Sequence, residues 1–180
     1  MKTFITSDTF FSRPDALDLG TRSIDFSDVK QMDDALISNW NSTVSPTDVV
    51  YHLGNFCWDP ISADLILRKL NGKIIFFPSK YDSALTEIID QFEGTHGISV
   101  SMISWNKKLN SVLTHWPMLN WPGKDKDTYH FHGGIDEYPT NLDEENRINA
   151  SIDNWNYSPL DFDIITDIIK DVKELKLKSI

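Results

Sequence analysis

Apolar and polar positions along the chain switch between two periods. Phe4 to Ser7 is a short apolar run that ends at Asp8, which predicts a buried strand delivering an aspartate to a loop. Ser27 reads as a helix N-cap, and Val29, Met32, Leu36, Ile37 and Trp40 follow at the spacing of one helical face. Ser45-Pro46-Thr47-Asp48 is a turn. Val49 to Leu53 predicts a second strand, closed by Gly54-Asn55. Pro60 opens a helix through Ile61, Leu65, Ile66 and Leu70, which Asn71-Gly72 stops. Lys73 to Phe77 predicts a third strand ended by Pro78, and a helix from Ser83 to Gln91 follows.

Strand and helix alternate three times, which argues for a parallel sheet with covering helices and an α/β fold. The pattern then changes. Ile98 to Ser104 and Leu109 to Thr114 flank Trp105-Asn106-Lys107-Lys108 and predict a hairpin. Thr128 to His132 and Arg147 to Ile152 predict further strands. Asp161 to Leu175 predicts an amphipathic helix whose late lysines complement its dipole. Asn120 to Lys126 and Asp136 to Asn146 read as loops. No repeat, low-complexity tract or linker interrupts the chain, so residues 1–180 are expected to form one domain.

Charge narrows the function classes. Lys and Arg number 17 against 27 Asp and Glu, a net charge of -10. Such a surface repels phosphate backbones and anionic membranes, though a local basic patch remains compatible with it. Cys57 is the one cysteine, so no internal disulfide forms. The first residues turn polar too soon for a signal peptide, and no apolar run approaches the length of a membrane span. The expected setting is cytoplasmic.

Polar residues gather where the strands end: Asp8, Asn55, Lys80 with Asp82, His115, and His132 to Asp136. In open α/β sheets, sites form beyond the carboxyl ends of the strands. With their neighbours these residues form a known series of motifs. Thr6-Ser7-Asp8-Thr9-Phe10-Phe11, Tyr51-His52-Leu53-Gly54-Asn55-Phe56, Ser79-Lys80-Tyr81-Asp82, Thr114-His115-Trp116-Pro117 and Gly133-Gly134-Ile135-Asp136 occur in order. Asp28 to Asp33, Asn39-Trp40-Asn41, Arg147-Ile148-Asn149 and Asp153 to Tyr157 lie between and after them. In these stretches the chain resembles the small, compact-loop subfamily of the calcineurin-like metallophosphoesterases. The resemblance covers nearly the whole chain. It implies a four-layer α/β/β/α sandwich, and in the family two divalent metals that activate a water to attack phosphorus.

Carried over position by position, the resemblance leaves little of that metal cage. Asp8 and His115 match ligand positions. Phe10, Asn55, Lys80 and Gly134 stand where the family has a histidine, a bridging aspartate, an asparagine and a histidine. Asp136 replaces a further histidine, and Tyr81 stands where a histidine assists near the phosphate. No metal cofactor is therefore expected. The relic site comprises Asp8, Asn55, Lys80, Tyr81, Asp82 and His115. Lys80 is expected to supply the missing positive charge by pairing with Asp8 or Asp136.

The function this implies is a degenerate, non-catalytic binding or regulatory module. Its partner would be a protein or a phosphate-containing ligand, and a phage protein engaging a host factor is the analogous setting. The alternative is a residual phosphomonoester or phosphodiester hydrolase, using manganese or another divalent ion on Asp8, Asn55, His115 and Asp136. Trp58, Trp116 and Trp121 are the candidate partner-binding residues. His130 and His132 share one strand face and could hold zinc only with further ligands. Cys57 reads as a packed apolar residue rather than a nucleophile.

Overall fold

The structure is a computed structural model that describes residues 1–98, 103–107, 109–134 and 146–169. Its first sheet is built on β1 (Thr3–Thr6), β2 (Val49–His52), β3 (Lys73–Phe76) and β4 (Gly97–Ile98), all parallel. A short strand, β9 (Leu160–Asp161), runs antiparallel along the other side of β1, so the order is β4-β3-β2-β1-β9. The second sheet has β5 (Ile103–Asn106), β6 (Ser111–Thr114), β7 (Tyr129–His132) and β8 (Arg147–Asn149) in sequential order. Only its β5–β6 pair is antiparallel.

Each strand of the first sheet sends neighbouring residues to opposite faces. Phe4, Val50, Ile74 and Phe76 face one core, with Met32, Leu36 and Trp40 of helix α2 (Val29–Thr43). Ala63, Ile66 and Leu67 of α3 (Pro60–Leu67) and Leu85 of α4 (Ser83–Ile88) join them. Ile5, Leu53 and Phe77 face the other core, where they meet Leu113, Phe131 and Ile148 of the second sheet. Both faces of the first sheet are thereby dry, which is why its strands read as continuous apolar runs. Residues 162–169 are helical, and Phe162 and Ile165 close this second core.

Several boundaries differ from expectation for local reasons. Asp28, not Ser27, caps α2, because its carboxylate accepts from Gln31 N at 2.8 Å. The Ile98–Ser104 run is not one strand. Ile98 pairs with Phe76 in the first sheet, whereas Ile103 and Ser104 pair with Thr114 and Leu113 in the second. The helices expected to reach Leu70 and Gln91 end at Leu67 and Ile88, the latter continuing as a 3-10 turn at Ile89–Phe92. Arg147 to Ile152 is strand only to Asn149 and then a 3-10 turn at Ile152–Trp155. Asp161 belongs to β9, and the last part of the expected terminal helix lies outside the described residues. The pattern also hid the 3-10 turn Pro14–Asp18 and the single helical turn α1 (Arg22–Asp25). Among the described residues no helix is long and apolar enough to cross a membrane.

Candidate functional site

The loops that follow β1, β2, β3, β6 and β7 meet at one edge of the sheets. The loop after β1 is stitched to the loop after β2: Asp8 N, Phe10 N and Phe11 N donate to the carbonyls of Gly54, Asn55 and Phe56 at 2.8–2.9 Å. Asp8, Phe10 and Asn55 all take left-handed backbone angles, with φ of 58°, 50° and 58°. Such angles are costly for a residue like Phe10 and persist only where the surroundings over-determine them.

Part of that determination comes from Arg22. Its guanidinium is fully buried and forms a two-pronged pair with Asp153, at 2.7 and 2.6 Å. Its Nη2 also donates to the Asp8 carbonyl at 2.6 Å, and its Nη1 to the Thr9 carbonyl at 3.2 Å. A buried Arg–carboxylate pair stands only when its remaining N–H groups find acceptors, and the turned backbone supplies them. Sequence reading passed over Arg22, because nothing in its flanks distinguishes it from a surface arginine. Asp153 was visible only as part of the C-terminal motif.

The Asp8 carboxylate is fully buried and surrounded by donors. Asn55 Nδ2 donates to Oδ1 at 2.7 Å, Ser7 Oγ to Oδ2 at 2.8 Å, and Gly134 N to Oδ2 at 3.0 Å. Asn55 is oriented by Ser79, whose hydroxyl donates to Asn55 Oδ1 at 2.7 Å. Burial outweighs these contacts and holds the Asp8 carboxyl above its usual range, with the His115 imidazole as the largest opposing influence. Asp82 lies beside it and is also buried. It accepts from the backbone N–H groups of Asn55, Phe56 and Ser79 at 2.7–2.8 Å, tying the loop after β3 to the loop after β2.

His115 packs under Trp116, with ring centroids 4.4 Å apart. Its Nδ1 lies 2.6 Å from the Leu53 carbonyl, which can only accept, so Nδ1 carries the proton and Nε2 is turned away. Gly54 makes this approach possible. A Cβ there would sit 2.6 Å from His115 Nδ1, and its φ of +94° also disfavours other residues.

The residues do not fit a two-metal centre. A cation needs lone pairs, but Asn55 turns its NH2 toward Asp8 and Gly134 turns its N–H there. Phe10 is buried in the apolar core with no donor atom. Among the described residues, no three His, Cys, Asp or Glu side chains group as a metal site. Asp136 lies outside the described residues.

The expected pairing of Lys80 is with Asp8 or Asp136; Lys80 is not among the partners of Asp8, and Asp136 lies outside the described residues. Lys80 is exposed and its ammonium lies over the Tyr81 ring at 4.8 Å and the Trp116 ring at 6.0 Å. Asp8 is met instead by the nearby His115 imidazole and by hydrogen bonds from Asn55, Ser7 and Gly134, and these neutral donors enter a dry floor at less desolvation cost than an ammonium. Of the three candidate tryptophans, Trp58 is 52% exposed and Trp116 half-buried, both beside the cleft. Trp121 is a correction: it is 4% exposed, with Nε1 donating to the Thr128 carbonyl and its ring against His130. It packs under the loop and offers no binding face.

His130, His132 and Cys57 are packed away from solvent. His130 has both ring nitrogens engaged, accepting at Nε2 from Met118 N and facing the Val112 carbonyl with Nδ1. Burial pushes its pKa down to about 3 and that of His132 to about 4. Cys57 is buried and its thiol is pushed up to about 12, so it is no nucleophile near neutral pH.

These features define an α/β protein with two multi-stranded sheets and a polar, internally bonded cleft floor at the strand ends. No family model matches the chain. It is 29% identical to the uncharacterized protein MJ1445 of Methanocaldococcus jannaschii, over 97% of this chain and 95% of that one. The crystal structure of the protein of unknown function AQ665 from Aquifex aeolicus has a similar fold. Its TM-score is 0.68 at 19% identity, covering 93% of this chain and 98% of that chain.

Proposed function

We propose that the chain is a metallophosphoesterase-like protein of the four-layer α/β/β/α type that has exchanged its metal centre for a hydrogen-bonded floor. It acts as a metal-independent binding or regulatory module for a protein partner or a phosphate-containing ligand. The observation that carries this reading is the Asp8 carboxylate, whose oxygens are satisfied by Asn55, Ser7 and Gly134. A metal would have to displace these donors and turn the Asn55 amide against Ser79.

The test is hydrolysis of bis(p-nitrophenyl) phosphate by metal-stripped protein refilled with manganese, beside a His115→Ala variant. No difference between the two proteins is expected. Turnover that disappears in the variant would overturn the reading. It would make the chain a phosphoesterase with a reduced site on Asp8, Asn55, His115 and Asp136. One observation favours that second reading: His115 Nδ1 is anchored on the Leu53 carbonyl, as ligating histidines usually are on their second nitrogen.

A further inference from the structure

Helix α3 is apolar on two sides. Ala63, Ile66 and Leu67 are buried in the first core. Ile61 and Leu65, one turn apart, are 75% and 55% exposed. Trp58, just ahead of the cap residue Asp59, is 52% exposed, and Arg68 at the other end is exposed as well. Residues three and four apart are neighbours on a helix surface, so Ile61, Leu65 and Arg68 form one row. Trp58 continues the same spacing ahead of the first turn. The steps from Trp58 to Ile61, to Leu65 and to Arg68 are three, four and three residues. The row therefore reads the same from either end, about position 63.

We propose that this row is the contact surface for a second copy of the chain, with the two α3 helices antiparallel across a two-fold axis. The proposal goes beyond the reading of the cleft and does not depend on it. A two-fold contact needs a self-complementary surface, on which residue i meets residue j and j meets i. Antiparallel α3 helices centred on position 63 set Ile61 against Leu65 of the second copy, and Trp58 against Arg68 of the second copy. The first pair is aliphatic on aliphatic, and the second is an indole face with a guanidinium. Two bonds of 2.9 and 2.8 Å hold Arg68 to Asp64 and balance that carboxylate, while Asp59 accepts from Ser62 N at 2.9 Å as the helix cap. Along residues 58–73, Arg68, Lys69 and Lys73 stand against Asp59 and Asp64, so this face is net positive by one in a chain of net charge -10. Two acidic copies repel each other least through it. The exposed apolar side chains offer on the order of 300 Å² per copy. That falls short of the roughly 800 Å² per partner of a stable interface, so the pair is weak and reversible.

The test is sedimentation velocity of the full-length protein from low micromolar to millimolar concentration. A monomer–dimer equilibrium is expected, and it should tighten as salt screens the net charge. Leu65→Glu places two carboxylates near the axis and should weaken the dimer at least about tenfold. Trp58→Ala should weaken it about fivefold. Ile24→Glu makes the same change in charge at a residue outside the row that is 83% exposed, and should leave the dimer unchanged. All three side chains are exposed, so the variants retain the fold. Disulfide trapping reads the register. A mixture of Ile61→Cys and Leu65→Cys proteins should cross-link faster than either alone, and the native Cys57 is buried and does not compete. A chain that stays monomeric at millimolar concentration would overturn the proposal, as would a dimer that survives Leu65→Glu or is lost equally in Ile24→Glu. Growth beyond the dimer would overturn it in favour of a head-to-tail contact, and weakening by salt in favour of a charge-driven one. Cross-linking of one variant alone as fast as the mixture would overturn the antiparallel arrangement. None of these results depends on the manganese assay.

Discussion

Two buried aspartates share the cleft floor and are solved differently. Asp82 is met entirely by backbone N–H groups, three of them, from two loops. Asp8 is met by one backbone N–H and two side chains, and burial still holds its carboxyl above the usual range. Backbone donors are fixed by the fold and cannot turn away, whereas Asn55 and Ser7 can rotate. Asp82 is therefore a clasp between loops. Asp8 is a charge whose partners could be exchanged, which is what a site needs and a clasp does not.

The comparison can be broken at several points. The largest effect is expected for Asp82→Ala, which strands three buried N–H donors. It should cost about 3–5 kcal/mol in urea unfolding. A loss near that of a surface substitution would mean that the loops are held by something else. Gly54→Ala comes next, at about 2 kcal/mol, from a left-handed angle and the displaced His115 ring. Its nuclear magnetic resonance signature should be a shifted His115 imidazole, since a Cβ would strike Nδ1.

Asp8→Asn should cost least, about 1 kcal/mol or less near neutral pH, because it removes a charge the fold disfavours. Its pH dependence sharpens the point. The folded-state pKa of Asp8 is raised above 3.8, so the stability linked to its proton is present below 3.8 and is lost as pH rises through the folded value. Asp8→Asn should erase that decline. His52 works in the opposite sense. It is sealed among Trp40, Phe56 and Phe76, which pushes its pKa down to about 3. With His130 and His132 it should make the protein less stable as pH falls from 6.5 toward about 3. Urea midpoints across this range separate the two trends, since only the first vanishes in the variant.

The position of the site was legible because polar residues punctuate apolar runs at Asp8, Asn55, Asp82 and His115, and parallel strands bring such ends together. The state of the site was not legible. Lys80 looked like the natural counterion for Asp8, yet Asn55, which appeared as a loss, supplies the closest donor at 2.7 Å. Trp121 looked like a surface anchor and is packed, because whether a loop tryptophan roofs a core depends on residues such as Thr128 and His130 that fold beside it.

By itself the sequence determined the periods: the parallel strands around β1 to β3, the helices that cover them, the acidic surface and the row of polar strand ends. These follow from local alternation and from charge, which act over a few residues or over the chain as a whole. Tertiary structure alone decided that Ile98 and Ile103 enter different sheets, that Arg22 reaches Asp153 and the Asp8 carbonyl, and that Arg13 and Lys80 alternate with three rings at the cleft mouth. Each of these is a contact between residues far apart in the chain. Its energy depends on distance and burial in three dimensions, which hydrophobic periodicity does not encode.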